Sequence, residues 1–234
     1  MKRKYLLIIL MLSCFAFLAS CGSLARQREK FTVSINSPNV PIGEIEAQFN
    51  PFMSIGSIKK STVKALYYPR EDAVCLQYRH ELTTYNLFWS YSGRQTFITA
   101  LEMYNKDYTD RNLITQNRKT IRNYGVIESY LYWQQFSFTV LAHANVNVDI
   151  GYQFKESAPK ENAPYFSVNQ REAEFKEDVS RENNRTSAVI TMYFTRAQAA
   201  ELAALFDQSF LKSLITAPVP GIDAAPINVD RDVY

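Results

Sequence analysis

The chain has 234 residues, a formal net charge of +3, 47% hydrophobic residues, two histidines and three cysteines. That composition suits a well-cored globular chain rather than a disordered one. It carries no long Lys/Arg block of the kind that makes an electrostatic footprint for nucleic acid.

The first segment is an address. Lys2, Arg3 and Lys4 precede an apolar run from Tyr5 to Phe17, and small residues follow, which is the three-part layout of a secretory signal. The run is shorter than the roughly 20 apolar residues a transmembrane helix needs. Leu18-Ala19-Ser20-Cys21 resembles the lipobox of bacterial lipoprotein precursors. That resemblance implies removal of residues 1–20 and lipid on Cys21, which becomes the membrane anchor. Gly22 and Ser23 follow in place of an aspartate, and this resembles an outer-membrane address facing the periplasm. Each buried CH₂ of an acyl chain contributes about 0.8 kcal/mol, so two or more chains hold a protein stably on a bilayer.

Loss of the leader removes three positive charges and no negative ones, so the formal charge of the remaining 214 residues is zero. Cys14 leaves with the leader and Cys21 is committed to lipid, so Cys75 is the one remaining thiol. No intramolecular disulfide is available, and the fold must rest on its core, where Cys75 is expected.

In chain order, residues 21–30 read as a tether and 31–215 as a single α+β domain. Phe31–Ile35 and Ile42–Phe49 predict short strands. STVKALYY (61–68), the turn PRED and AVCLQYRH (73–80) predict a hairpin, and YNLFWSY (85–91) another strand. Ser92-x-x-Gln95 fits a capping box opening a helix with Phe97, Leu101, Tyr104 and Tyr108 on one side. Thr195-x-x-Gln198 repeats the device after SAVITMYF, with Ala199, Leu202, Ala203, Phe206, Phe210 and Leu214 as its stripe. Two strand-cap-helix units suggest an internal duplication. Strands are also expected at 124–136, 138–154, 165–176 and 187–194, with SAPKENAP (157–164) as a loop. Residues 216–234, with three prolines and no period, read as an extended or disordered tail.

In FTVLAHANVNVDIGYQF (138–154) every second residue from Phe138 is apolar and most of those between are polar. Seventeen residues at about 3.3 Å each would reach roughly 56 Å, beyond the diameter of about 44 Å expected for a compact chain of this size. The strand must therefore bend or coil, with Gly151 the expected site of a bulge. A transmembrane barrel would show many such segments, and only this one alternates cleanly. The expected architecture is a curved, mainly antiparallel sheet with two amphipathic helices packed on one face.

Chemistry-bearing motifs are sparse. No G-x-S-x-G, P-loop or G-x-G-x-x-G occurs, and no Cys/His cluster has zinc spacing. His143 and Asp149 share a strand face, but about 20 Å separates them along it, so they cannot form a hydrogen-bonded couple. His80, beside Glu81, has the option of meeting His143 across the sheet. Neither a catalytic residue, a metal nor a cofactor is assigned. The fifteen tyrosines, fifteen phenylalanines and two tryptophans are the compositional excess, and Trp89, Tyr91, Tyr130, Tyr132 and Trp133 are the candidate binding face. The expected role is a non-catalytic one in binding, assembly or structural support, with an envelope protein, lipid or glycan as partner. Two other readings stay open: an envelope hydrolase with a site assembled from distant residues, and a lipid carrier with an apolar cavity.

Overall fold

A computed structural model describes residues 31–50, 59–113, 122–135, 141–157, 161–175 and 185–216. The expected leader, tether and tail lie outside these, apart from Thr216.

The strands are β1 (Val40–Phe49), β2 (Lys59–Tyr68), β3 (Ala73–His80), β4 (Thr83–Trp89), β5 (Arg122–Gln135), β6 (Ala142–Ser157), β7 (Glu161–Gln170), β8 (Glu174–Phe175), β9 (Arg185–Thr186) and β10 (Ile190–Phe194). The helices are α1 (Tyr91–Thr109), α2 (Arg196–Leu205) and α3 (Gln208–Thr216). Eight strands form a closed antiparallel barrel in the order β1-β10-β7-β6-β5-β4-β3-β2, and β8 pairs with β9 as a separate ribbon. Four consecutive strands followed by a helix occur twice around the ring, with the ribbon inserted before β10.

This corrects the expected open sheet with helices on one face. The inward residues alternate along every strand: Ile45, Ala47 and Phe49 on β1, Val74, Leu76 and Tyr78 on β3, Tyr85, Leu87 and Trp89 on β4, and Ile190, Met192 and Phe194 on β10 belong to one buried cluster. The predicted apolar face is thus the barrel's inner wall. Closure rests on β1 meeting β10, at Gln48↔Tyr193 and Phe49↔Met192. A strand's own period gives its two faces and carries no information about which distant strand it meets.

The outer wall is polar over much of its area. Glu44 and Glu46 on β1 face Lys64 and Lys60 on β2, with N–O distances of 3.5 and 2.8 Å, and Asn145 and Asn147 on β6 are exposed. Charge outside and an aromatic core inside reverse the polarity that a barrel in lipid requires. Among the described residues no helix is long and apolar enough to cross a membrane.

The helices cover the end of the barrel where β4 and β10 finish. Phe97 on α1 and Phe206 after α2 lie 5.4 and 5.5 Å from the Trp89 ring and 5.2 Å from each other. Phe97 also meets Phe166 of β7 edge-on at 5.4 Å. Aromatic pairs in such tilted and edge-on arrangements add stability beyond the area they bury. Among the described residues the opposite end, at the β3–β4 turn, carries no helix.

Several local expectations shift. Ser90, two residues before the expected Ser92, caps α1, its hydroxyl accepting from the Gly93 amide at 3.3 Å. The Thr195–Gln198 capping box is present as expected. The expected last helix is broken at Asp207, whose carboxylate accepts from the Phe210 amide at 2.8 Å to start α3; the break turns Leu211 inward and leaves Phe210 exposed. Phe31–Ile35 is not a strand. It lies across the outer wall, covering a cluster of Tyr68, Ala73, Cys75, Phe88 and Tyr130, and the Tyr132 hydroxyl donates to Val33 O at 2.8 Å. Cys75 is fully buried there. β6 pairs with β7 without interruption at Gly151; the irregularity falls on β5 between Asn123 and Gly125, across from Gly151. Residues 161–164, expected in a loop, begin β7.

Candidate functional site

The β3–β4 end of the barrel holds a cavity of about 240 Å³ lined by His80, Glu81, Thr83, Tyr85, Thr186, Ser187 and Ala188. Three pieces of chain build it. His80 ends β3 and pairs with Thr83 at the start of β4, so a two-residue turn, Glu81-Leu82, forms the rim. Tyr85 follows two residues along β4 and therefore points to the same side as Thr83. Thr186 to Ala188 arrive from the ribbon just before β10.

The rim is held in an uncommon backbone conformation. Glu81 has φ of 54°, which costs a non-glycine residue roughly 1–2 kcal/mol. Arg79 Nε donates to the Glu81 backbone oxygen at 3.3 Å, and Lys59 Nζ lies 3.0 Å from the Glu81 carboxylate. Leu82, at the tip, is 65% exposed.

Below the cavity is a polar floor. The Tyr78 hydroxyl donates to Gln170 Oε1, and Gln170 Nε2 donates to Ala188 O at 3.2 Å. Gln170 is fully buried, so these bonds offset its desolvation. Tyr78 stacks on Tyr85 at 5.4 Å, and His80 stacks on Phe49 at 5.9 Å. Ser187 is tied to the chain across from it: its hydroxyl accepts from Ala173 N at 2.9 Å and its amide donates to Ala173 O at 2.8 Å.

Burial holds the His80 imidazole below its ordinary pKa; Glu81 opposes the shift and Lys59 adds to it. The imidazole is therefore neutral at pH 7. Burial pushes the Tyr85 phenol up, and interactions with the Thr83 side chain and the Ala188 backbone hold it back. The cavity is thus lined by neutral polar groups, with its one carboxylate, Glu81, matched by Lys59, while the Tyr85 and His80 rings are themselves buried.

The second histidine stands elsewhere. His143 alternates with the inward Ala142 and Ala144 of β6 and so lies on the outer wall, where its Nδ1 is 2.7 Å from the Tyr130 hydroxyl. Tyr132 and Phe175 flank its ring at 5.4 and 5.1 Å. His80 and His143 occupy opposite faces of the wall and do not meet. Asp149 is held by Arg171 through two bonds of 2.7 and 2.8 Å. Among the described residues no three His, Cys, Asp or Glu side chains are grouped to hold a metal ion.

The five aromatic residues singled out from the sequence do not share one surface. Trp89 and Trp133 are inward and buried, Tyr130 and Tyr132 are on the outer wall beneath and beside Phe31–Ile35, and Tyr91 is exposed at the first turn of α1. Sequence reasoning noted His80 beside Glu81 but missed Thr83, Tyr85 and Thr186 to Ala188. A readable signal existed for the first two, since R-H-E-L-T-T between two alternating runs fits a two-residue hairpin. Nothing local places residues 186–188 beside them.

Fold and site together define a small closed antiparallel barrel, filled with side chains, plugged by helices at one end and indented at the other. A family model described as "Uncharacterised Treponema protein" matches residues 23–213, and the chain belongs to that family. No curated protein and no solved structure matches it.

Proposed function

We propose that this protein is a lipid-anchored component of the bacterial envelope, attached through Cys21, in which the barrel serves a non-catalytic binding or assembly role. The leader, the lipobox and the small residues after Cys21 support the address. An outer-membrane position facing the periplasm follows from Gly22 and Ser23 by the same resemblance.

The observation that carries the binding role is the state of the polar groups around the cavity. A hydrolase nucleophile needs a base within hydrogen-bond reach, whereas the Ser187 hydroxyl is engaged by Ala173 N and the Glu81 carboxylate by Lys59. Such groups shape a rigid recess. A lipid carrier would need an apolar void for acyl chains, and Trp89, Phe97, Phe166 and Phe206 occupy the space between barrel and helices.

Fractionation of cells making the native chain or Cys21→Ser tests the anchor. The native protein should stay with membranes after alkaline washing and the variant should be released as unprocessed or soluble chain. Equal retention of both would overturn the reading.

A further inference from the structure

We propose that residues 31–37 are a detachable clasp between the membrane anchor and the barrel, which opens while the barrel stays folded and, in opening, lengthens the tether. The consequence at the membrane rests on attachment through Cys21, whereas the opening itself does not.

Little joins this segment to the fold. The eight-strand ring begins at Val40 and closes without residues 31–37. Among the described residues they make no strand pairing with the barrel, and the bond from Ser37 N to Ser34 O, at 3.1 Å, closes a turn within the segment. Val33 is its one fully buried apolar residue, with Phe31 and Ile35 half-buried beside it. Two side-chain bonds add to this contact: the Tyr132 hydroxyl donates to Val33 O at 2.8 Å, and the Ser37 hydroxyl donates to Glu71 Oε1 at 2.6 Å. Glu71 Oε2 is buried with no hydrogen-bond partner among the described residues, so this attachment point carries an uncompensated desolvation.

The segment stands in series between Cys21 and β1. Tension on the tether therefore acts on Phe31 first and peels the segment from one end, breaking the Tyr132 bond before the Ser37 bond. Pro38 and Asn39, both exposed, link it to β1. The barrel's own ladders lie beyond that link and take load only after the segment has left the wall.

Chain length sets what opening does. With the clasp closed, ten residue steps separate Cys21 from Phe31, a reach of at most ~36 Å. With it open, nineteen steps separate Cys21 from Val40, a reach of at most ~68 Å. Opening therefore lets the barrel meet a partner about twice as far from the bilayer. It also uncovers Tyr68, Ala73, Cys75, Phe88 and Tyr130, and the cost of wetting that apolar surface returns the segment to the wall once tension is relieved.

Cys75 is a built-in reporter, since it is fully buried in that cluster and is the one thiol left once Cys21 carries lipid. The test is the rate at which excess maleimide modifies the mature protein in detergent micelles, followed by intact mass over a urea series below the unfolding transition. Opening of the clasp alone exposes little surface, so the Cys75 rate should depend weakly on urea there and steeply only near the global midpoint. Tyr132→Phe, which removes the bond to Val33 O, should speed labelling about five- to tenfold, and Val33→Ala should speed it as well. Gly93→Ala, which loosens α1 rather than the clasp, should leave the low-urea rate unchanged. The proposal is overturned by an absence of labelling below the transition, by a rate as steep in urea as global unfolding, by a rate that Tyr132→Phe leaves unchanged, or by an equal effect of Gly93→Ala. Reaction of a second thiol, at residue 21, would instead contradict the anchor, so the two failures read out separately.

Discussion

Arg94, fully buried in the first turn of α1, donates from Nη1 to the backbone oxygen of Asp72 at 2.7 Å and from Nη2 to its carboxylate at 2.8 Å. The same Nη2 donates to Gln208 Oε1 at 2.8 Å. One guanidinium therefore joins the β2–β3 turn, α1 and the start of α3. Asp72 sits at φ of 46°, a conformation that Asn also tolerates, so Asp72→Asn removes charge and leaves the backbone intact.

Asp72→Asn should destabilise the barrel by roughly 1.5–3 kcal/mol, the contribution of a hydrogen bond to a charged group. Arg94→Lys should not preserve stability, because a single ammonium cannot span the carbonyl, the carboxylate and Gln208 together. Urea unfolding of both variants checks this. Losses below about 0.5 kcal/mol, the scale of ordinary surface changes, would show that the helices are held by aromatic packing alone.

The approach of α1 to the barrel gives a second prediction. A Cβ on Gly93 would lie 2.8 Å from Ile127 Cγ2 and 3.4 Å from Trp89 Cβ, whereas one on Gly43 would meet the Leu205 side chain, its methyl ends nearest at 2.9 and 3.1 Å. Overpacking of a tight contact costs about 1–3 kcal/mol, reduced at Gly93 by the helix propensity that alanine gains. Gly93→Ala should lower the melting temperature more than Gly43→Ala, since Leu205 is free to rotate. The reverse order would mean that α1 does not dock at this distance.

A third prediction concerns pH. His80 is held below its ordinary pKa by burial, so the unfolded chain takes up a proton more readily than the folded one. The stability contributed by the neutral imidazole is complete above about pH 6.5 and is lost as pH falls from there toward the lower folded value. The melting temperature of the native chain should therefore drop more steeply than that of His80→Phe as pH is lowered from about 7.5 to 5. His143 is present in both proteins and cancels. Parallel curves would place His80 in solvent.

How far the sequence reveals this molecule depends on the range of each interaction. Strand alternation and the Thr195–Gln198 cap are local, and both can be read directly. The hairpin around PRED is equally plain. Closure is different, because it depends on Phe49 meeting Met192, and no property of either segment names its partner. The long alternating stretch also admits a physical answer in hindsight: strands in a closed barrel tilt and coil, so a 16-residue β6 fits without overhanging. Parity alone separates Trp133 from Tyr130 and Tyr132, so the aromatic clusters in the sequence mix inner and outer faces. The cavity required Thr186 to Ala188 to return to the β3–β4 turn, a contact that spans about half the chain and leaves no local trace.

Intact-mass spectrometry of the protein extracted from membranes of its own cells bears most directly on the central claim. The expected result is a chain beginning at Cys21, heavier than the bare sequence 21–234 by a glyceride and its acyl groups, with the added mass confined to the N-terminal peptide. A chain that starts at any other residue, or an unmodified Cys21, would contradict it.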